Sequence, residues 1–195
     1  MAAKSSLEFS QKGFELLDKK RNVLIREMMS YVSKAHELQV AVNITFSRAY
    51  KALQSANINS GIINVEDIAM AVEEAKDYDI VFKSVMGVEV PKIIFERKDI
   101  EAKYGFYRTS AAIDEAMKEF DHVKYLTYEL AEVENAVYRL AMEVKKTQKR
   151  ANALQNIQIP KFQEIVKFIT EVLEEKERED FFRLKVVKKK HRSED

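Results

Sequence analysis

The sequence predicts a mostly α-helical protein in which two long helices form an antiparallel coiled coil, with a small insertion between them. Three observations predict this fold. The chain of 195 residues has only four glycines and two prolines, so few positions can end a helix. Charged residues make up 33% and hydrophobic residues 46%, a balance typical of long amphipathic helices. Apolar residues recur at alternating steps of three and four near both ends of the chain.

The overall composition excludes several classes of protein. A net charge of +1 argues against nucleic acid as the main partner, because that affinity depends on uncompensated Lys and Arg. The absence of cysteine excludes disulfides, thiolate metal ligands and cysteine nucleophiles. The sequence shows neither a signal-peptide pattern nor an apolar run of about 18 residues. We therefore expect a cytoplasmic protein without direct membrane insertion.

Residues 1–57 are predicted to form the first coiled-coil helix. Ser5 and Glu8 have the spacing of a capping box at a helix start. The heptad seam that follows contains two polar exceptions, Arg21 and Thr45. Its members are Phe14, Leu17, Arg21, Leu24, Met28, Tyr31, Ala35, Leu38, Val42, Thr45, Ala49, Ala52 and Ala56. Ile25, Val32, Phe46 and Leu53 add a second stripe, which indicates more than one covered surface.

Residues 58–109 are predicted to form the central insertion. The stretch "SANINSGIIN" contains poor helix-interior residues and should end the first helix. Asn64 can cap a short helix, "VEDIAMAVEEAK". Alternation of apolar and polar residues from Tyr78, followed by "VPKIIF", predicts a β-hairpin that turns around residues 86–89. Pro91 suits only an edge position of such a sheet.

Residues 110–195 are predicted to form the second coiled-coil helix and a basic tail, with Ser110 as the helix cap. Beyond Pro160 the apolar pattern restarts about one residue out of phase, which predicts a kink or a break. Because this segment is longer than the first helix, it should overhang its partner and expose apolar residues. The seam consists of Leu126, Leu130, Val133, Val137, Leu140, Val144, Thr147, Ala151 and Leu154, and it restarts as Phe162, Val166, Ile169 and Leu173.

The end of the chain separates its charges. Residues 174–180 contain five acids, and residues 183–192 contain six Lys and Arg with no acid. Cations at a helix C-terminus complement the helix dipole, and Glu179 and Arg183 have favourable i, i+4 spacing. The same residues could instead contact the polar surface of a surrounding protein. Nucleic acid is the weaker alternative, since no second basic patch supports the tail.

Catalytic signatures are missing from the sequence. The scattered glycines form no GxxxxGK[ST] phosphate loop. Glu119 and His122 have the Glu-x-x-His spacing of di-iron bundles, but such a site needs two of these motifs. His36 and His191 have no glutamate three residues before them. We expect no catalytic residues, no cofactor and no metal, which disfavours an autonomous helical-bundle enzyme.

Four segments of the chain carry a family resemblance. In order they are "KGFELLDKKRNVL", "MGVEVPKI", "KRANALQNIQIPKFQEIVKFI" and "LEEKEREDFFRLKVVKKK", and together they extend over most of the chain. With these segments the chain resembles the D subunit of the V-type and archaeal A-type rotary ATPases. The runner-up interpretation is a coiled-coil adaptor or stalk protein of another ATPase, such as the flagellar-export type, which should lack the hairpin.

The resemblance implies a non-catalytic central rotor shaft that transmits torque between an ATP-processing hexamer and an ion-translocating membrane ring. Its implied partners are the catalytic and nucleotide-binding subunits of the hexamer, the F subunit of the stalk and the funnel-shaped subunit above the ring. In such a rotor, the residues expected to face the hexamer bore are Glu177, Arg178, Phe181, Arg183, Lys185, Lys188 and Lys189. Those expected to contact stalk neighbours are Tyr78, Phe82, Val88 and Ile93.

Overall fold

The fold is mostly α-helical with one small sheet, as predicted. The computed structural model describes residues 1–72, 77–97, 104–105 and 109–191, with side chains as far as residue 188. The helices are α1 (Ala2–Ser60), α2 (Ile62–Met70), α3 (Ala111–Ala153) and α4 (Ile159–His191). The strands are β1 (Tyr78–Val85) and β2 (Val88–Phe95), and Leu154–Gln158 form one π-helical turn between α3 and α4.

The ends of the helices differ in part from the sequence predictions. The capping box is wrong, because Ser5 lies inside α1 and its N–H donates to the carbonyl of Met1 at 3.1 Å. Asn64 also lies inside its helix, since α2 begins after Gly61, whose φ of 83° is favourable only for glycine. Ser110 precedes α3 as predicted, and its carbonyl accepts the N–H of Ile113 at 2.9 Å. Residues 73–76 of the predicted short helix lie outside the described residues.

The chain divides into two compact units. The terminal unit consists of residues 1–22 and 145–195, and the central unit consists of residues 23–144. Each unit contains a part of the α1 and α3 pairing.

In the terminal unit, α1 and α3 run antiparallel and are joined at a polar seam position. A Cβ atom on Gly13 would lie 3.5 Å from Cδ1 of Leu154, so the helices approach closely there. Nη1 of Arg21 donates a hydrogen bond to Oε1 of Gln148 at 2.7 Å, and Nη2 lies 2.6 Å from the Asp18 carboxylate. The guanidinium of Arg21 therefore occupies a seam position with both of its terminal nitrogens paired.

In the central unit, two clusters fix the antiparallel pairing of α1 with α3. Leu24 packs with Ala136 and Leu140, whereas Ala56, at the other end of α1, packs with Ile113. The second polar seam residue, Thr45, is buried, and its hydroxyl donates to the carbonyl of Ala41 at 2.8 Å. Val90 of β2 joins the Leu24 cluster, as do the half-buried Met28, Tyr31, Val85, Val88 and Val144. The hairpin therefore packs directly on the helix pair.

The hairpin has continuous antiparallel register from the Tyr78–Phe95 pair to the Val85–Val88 pair. Its two-residue loop is Met86 and Gly87, with φ values of 52° and 80°. Two positive φ values are the pattern of a type I′ turn, whose twist matches that of the paired strands. Met86 adopts a positive φ although its side chain makes this backbone conformation less favourable than it is for glycine.

The π turn explains the phase shift at Pro160. The N–H of Ile159 donates to the carbonyl of Leu154, five residues back, instead of four. A π turn accommodates one extra residue within an α-helix, which is the size of the shift read from the sequence. Pro160 lies in the first turn of α4, beside this loosened turn, where a regular α-helix would bring its ring against a carbonyl. The helix continues to His191, so Pro160 does not end it.

Candidate interaction surfaces

The end of α4 forms an exposed tail surface, which we define as residues 173–188. Every side chain in this range is exposed. Its apolar members include Phe181 at 68% exposure, Phe182 at 64% and Leu184 at 69%. Large apolar side chains that the terminal unit leaves uncovered are typical of a surface that contacts another protein.

The charges of the tail surface form short pairs along the same helix. Arg178 lies 3.7 Å from the Glu174 carboxylate, and Arg183 lies 3.8 Å from those of Glu179 and Asp180. Exposed pairs of this kind contribute about 0.3 to 0.5 kcal/mol each and exchange partners readily. The predicted bore residues Glu177, Arg178, Phe181, Arg183, Lys185 and Lys188 all belong to this surface. Lys189 lies in α4 with its side chain outside the described part of the chain.

The four residues predicted to contact stalk neighbours have different environments. Tyr78 and Phe82 on β1 are exposed, at 44% and 53%. Val88 is half-buried against the Leu24 cluster, and Ile93 is half-buried on β2. The exposed part of the hairpin is therefore centred on β1.

Two side chains of α3 hold β2 in place. The N–H of Ile93 donates to Oε2 of Glu132 at 2.8 Å, and Nη1 of Arg139 donates to the carbonyl of Glu89 at 3.0 Å. The guanidinium of Arg139 also lies 5.1 Å from the centre of the Phe82 ring, within the range of a cation–π interaction. Glu132 and Arg139 are seven residues apart, so they lie on the same face of α3.

Asp77, the residue before β1, anchors the start of the hairpin to α3. Its carboxylate accepts hydrogen bonds from Nζ of Lys124 at 3.1 Å and from the hydroxyls of Tyr125 at 3.3 Å and Tyr128 at 3.2 Å. Burial raises the pKa of the Asp77 carboxyl, but the hydrogen bonds from Lys124, its own backbone and Tyr128, together with the Lys124 charge, outweigh it, so the pKa lies below its ordinary value. The Phe95 ring stacks on Tyr125, 5.1 Å between centres, at the same place.

Replacement of Asp77 by asparagine is expected to lower the free energy of unfolding by about 1 to 3 kcal/mol at pH 7, because charge-assisted hydrogen bonds are lost. The lowered pKa means that the ionised carboxylate stabilises the fold above about pH 4 and that this contribution disappears as the pH falls through the lowered pKa. The difference between parent and variant should therefore shrink in acid. Denaturant unfolding at pH 7 and pH 3 measures it.

The matched control is Asp79→Asn, because Asp79 is an exposed carboxylate two residues further on, in β1. Its change should stay within about 0.5 kcal/mol at both pH values. Equal effects of the two substitutions would show that Asp77 is not the anchor of the hairpin.

A third exposed patch lies where α1 meets α2, and the sequence analysis did not identify it. This corner surface consists of Ile58, Ile62 and Ile63, exposed by 69% to 77%. Met70, at the other end of α2, is also exposed, at 77%. The sequence did contain a signal for this surface, because Ile62 and Ile63 directly follow Gly61. Apolar residues at a short corner between two helices have few neighbours in their own chain that could cover them.

The candidate metal motif has no support among the described residues. His122 is exposed and Glu119 half-buried on α3. Within the described part of the chain, no group of three or more His, Cys, Asp or Glu side chains is placed to hold a metal ion. No helix in the described ranges is long and apolar enough to cross a membrane.

Antiparallel paired helices, a hairpin packed on them and several exposed apolar patches define a helical interaction protein. The chain belongs to the family of ATP synthase D subunits, whose family model matches residues 1–189. It is 46% identical to the D subunit of the V-type ATP synthase of Thermotoga neapolitana over 190 residues, which cover 97% of this chain and 94% of the relative.

Archaeal relatives give the same family. The D subunit of the A-type ATP synthase of Thermococcus sibiricus is 39% identical over 188 residues, covering 95% of this chain and 88% of the relative. That of Methanopyrus kandleri is 40% identical over 184 residues, covering 93% and 79%. The chain is therefore a subunit of the V-type and A-type class of ATP synthases, as its sequence motifs indicated.

Proposed function

We propose that this chain is the central rotor shaft of its ATP synthase and transmits torque between the nucleotide-processing hexamer and the ion-translocating membrane ring. The tail surface carries this proposal. A member of this family that leaves Phe181, Phe182 and Leu184 exposed at the end of a long helix needs a partner around that end. A bore formed by catalytic and nucleotide-binding subunits would provide that partner.

The charges of the tail surface suit a contact that must slide. Strong buried ion pairs would hold a shaft at one angle, because breaking them leaves desolvated charges. The exposed Arg178 and Arg183 pairs are weak and can exchange one acidic partner for another. Glu177 adds a further carboxylate to the acidic part of the tail surface, and Lys185, Lys188 and Lys189 add cations beyond it.

The remaining segments have separate roles in this proposal. Residues 1–57 and 110–195 form the shaft, and residues 58–109 form the contact module for the stalk. Tyr78 and Phe82 of the hairpin, with the corner surface, face the F subunit of the stalk and the funnel-shaped subunit. The chain is non-catalytic and binds no nucleotide or cofactor, and it is cytoplasmic and held at the membrane only through the complex.

A cross-link between shaft and hexamer tests the rotary role. The chain has no cysteine, so Leu173→Cys introduces a single thiol at an exposed position of the tail surface. The variant chain is first labelled with a photoactivatable, reductively cleavable maleimide and is then assembled into its complete ATP synthase. We expect ATP turnover to fall in proportion to the cross-linked fraction and to recover when the linker is cleaved.

The control is the same variant with a maleimide of equal size that cannot react on illumination, and its turnover should remain at the parent value. A complex that is fully cross-linked and still turns over ATP at the parent rate would mean that the chain is a static adaptor. Failure to cross-link any hexamer subunit would place the tail surface outside the bore.

A further inference from the structure

The two edges of the hairpin differ in their free backbone groups. In an antiparallel pair, every second residue exchanges both backbone hydrogen bonds with its partner, and the residues between them direct N–H and C=O groups outward. On β2 the bonds from Ile93 to Glu132 and from Arg139 to Glu89 identify the outward residues. Their register partners on β1 are Ile80 and Ser84, so these also direct their backbone groups outward.

The outward edge of β2 is closed. Glu132 accepts the N–H of Ile93, and Arg139 donates to the carbonyl of Glu89. Pro91, the outward residue between them, has no N–H to offer. These are the means by which proteins prevent a further strand from pairing with an edge.

The outward edge of β1 is open. Among the residues that the structure describes, no hydrogen bond reaches the outward N–H and C=O groups of Tyr78, Ile80, Phe82 and Ser84. The register of β1 is continuous, without a bulge, and the strand contains no proline. Ile80 and Phe82 are 55% and 53% exposed beside this edge. Asp79 and Lys83 are the only charged residues of β1, and its outward backbone groups remain free to pair with another strand.

We infer that β1 accepts an extended segment of a neighbouring subunit as a third strand of the sheet. The inference rests on the proposed function, because the partner is another subunit of the same ATP synthase. Outward N–H and C=O groups at every second residue match an extended backbone, whereas a helix has already used its own backbone groups. Side chains of the added strand that alternate as apolar residues would cover Ile80 and Phe82.

A second copy of this chain is the competing occupant of the edge. Under the proposed function this chain fills the single bore of its hexamer, so the assembled synthase would offer no second β1. Self-pairing would also make the exchange of β1 amides in the free chain depend on protein concentration.

Hydrogen exchange resolved to single amides tests the inference on the full chain, free and in the assembled synthase. In the free chain the amides of Ile80, Phe82 and Ser84 should exchange quickly, while those of Val81 and Lys83 are protected by β2. Assembly should slow the exchange of the three outward amides at least about tenfold.

A variant isolates the backbone contribution. Ile80→Pro removes one outward N–H without removing a bond to β2, and Ile80→Val keeps that N–H with a similar side chain. Incorporation into the synthase should weaken about tenfold for the proline variant and remain near the parent level for the valine variant. Protection of the Val81 and Lys83 amides in the free proline variant confirms that its hairpin is formed. If this protection is lost, the parent exchange experiment decides alone.

The outcomes separate the inference from the proposed function. A chain that assembles into an active synthase while its outward amides still exchange at the free rate would overturn the third strand and leave the rotor intact. Concentration-dependent protection in the free chain would assign the edge to a second copy and also overturn it. A chain that does not assemble would refute both.

Discussion

Deleting Ile157 and replacing Pro160 by alanine in one variant is expected to keep the free energy of unfolding within about 1 kcal/mol of the parent, whereas deleting Ala141 should lower it by more than about 5 kcal/mol. The π turn holds one extra residue, and Ile157 within it is 62% exposed. Removing Ile157 lets the turn return to regular α-helix while Phe162 and Val166 keep their direction. Pro160 must be exchanged because proline inside a regular helix costs about 3 kcal/mol.

Ala141 is the matched control because it is also exposed and lies in regular α-helix. Its deletion rotates every following residue by about 100°, since an α-helix has 3.6 residues per turn. Val144, Thr147 and Ala151 then leave the seam, and several buried side chains lose their packing at once. Denaturant unfolding followed by circular dichroism gives both values. Equal destabilisation by the two deletions would show that the π turn does not absorb an extra residue.

The helical seams could be predicted from the sequence because they depend on a repeat that runs over many turns. Every residue assigned to the first seam, from Phe14 to Ala56, is buried or half-buried, and so is every residue assigned to the second seam from Leu126 to Leu154. Arg21 can occupy a seam position because its guanidinium donates a hydrogen bond to Gln148. Thr45 can do so because its hydroxyl donates to the carbonyl of Ala41. A heptad repeat tolerates a single polar residue, because the apolar residues before and after it in the repeat keep that side of the helix against its partner.

The helix ends and the packing of the hairpin depend on single contacts, which a sequence pattern does not specify. Ser5 and Glu8 match a capping box, yet Glu8 forms an i, i+4 pair with Lys12 inside the helix, 2.6 Å away. Glu132 and Arg139, which hold β2, are 39 and 50 residues from their partners along the chain. The phase shift at Pro160 was visible, but a kink, a break and a π turn all produce it.

The surface predictions depend on what the chain leaves uncovered. The overhang of the second helix predicted exposed apolar residues, and the described tail surface is exposed throughout. The alternation from Tyr78 predicted a hairpin but not which of its edges would stay open, because Pro91 is the only one of the described closing features that lies in the hairpin. The corner surface was missed because its isoleucines belong to no long repeat.

Reversing the charge of Arg183, Lys185, Lys188 and Lys189 to glutamate is expected to weaken binding of the chain to its hexamer at least about tenfold at low salt, with a smaller loss at high salt. The proposed bore contact supplies the reason, because surface charges act over about 10 Å at 0.1 M salt and about 3 Å at 1 M. If these residues only complement the dipole of α4, the reversal should affect helix stability by about 0.3 to 1 kcal/mol per residue at most and leave hexamer binding unchanged.

The matched control reverses four exposed cations of α1, which changes the net charge equally away from the tail surface: Arg26, Lys34, Arg48 and Lys51. Truncation after Leu173 should weaken binding further than charge reversal, because Phe181, Phe182 and Leu184 are lost together with the charges. It should leave thermal unfolding of the remaining chain nearly unchanged, since the described tail pairs only with itself. Binding is measured by titrating each variant against the isolated hexamer across a salt series. If the tail variant binds like the parent at every salt concentration while the α1 control behaves the same, the basic residues are solvated and the C-terminus lies outside the bore.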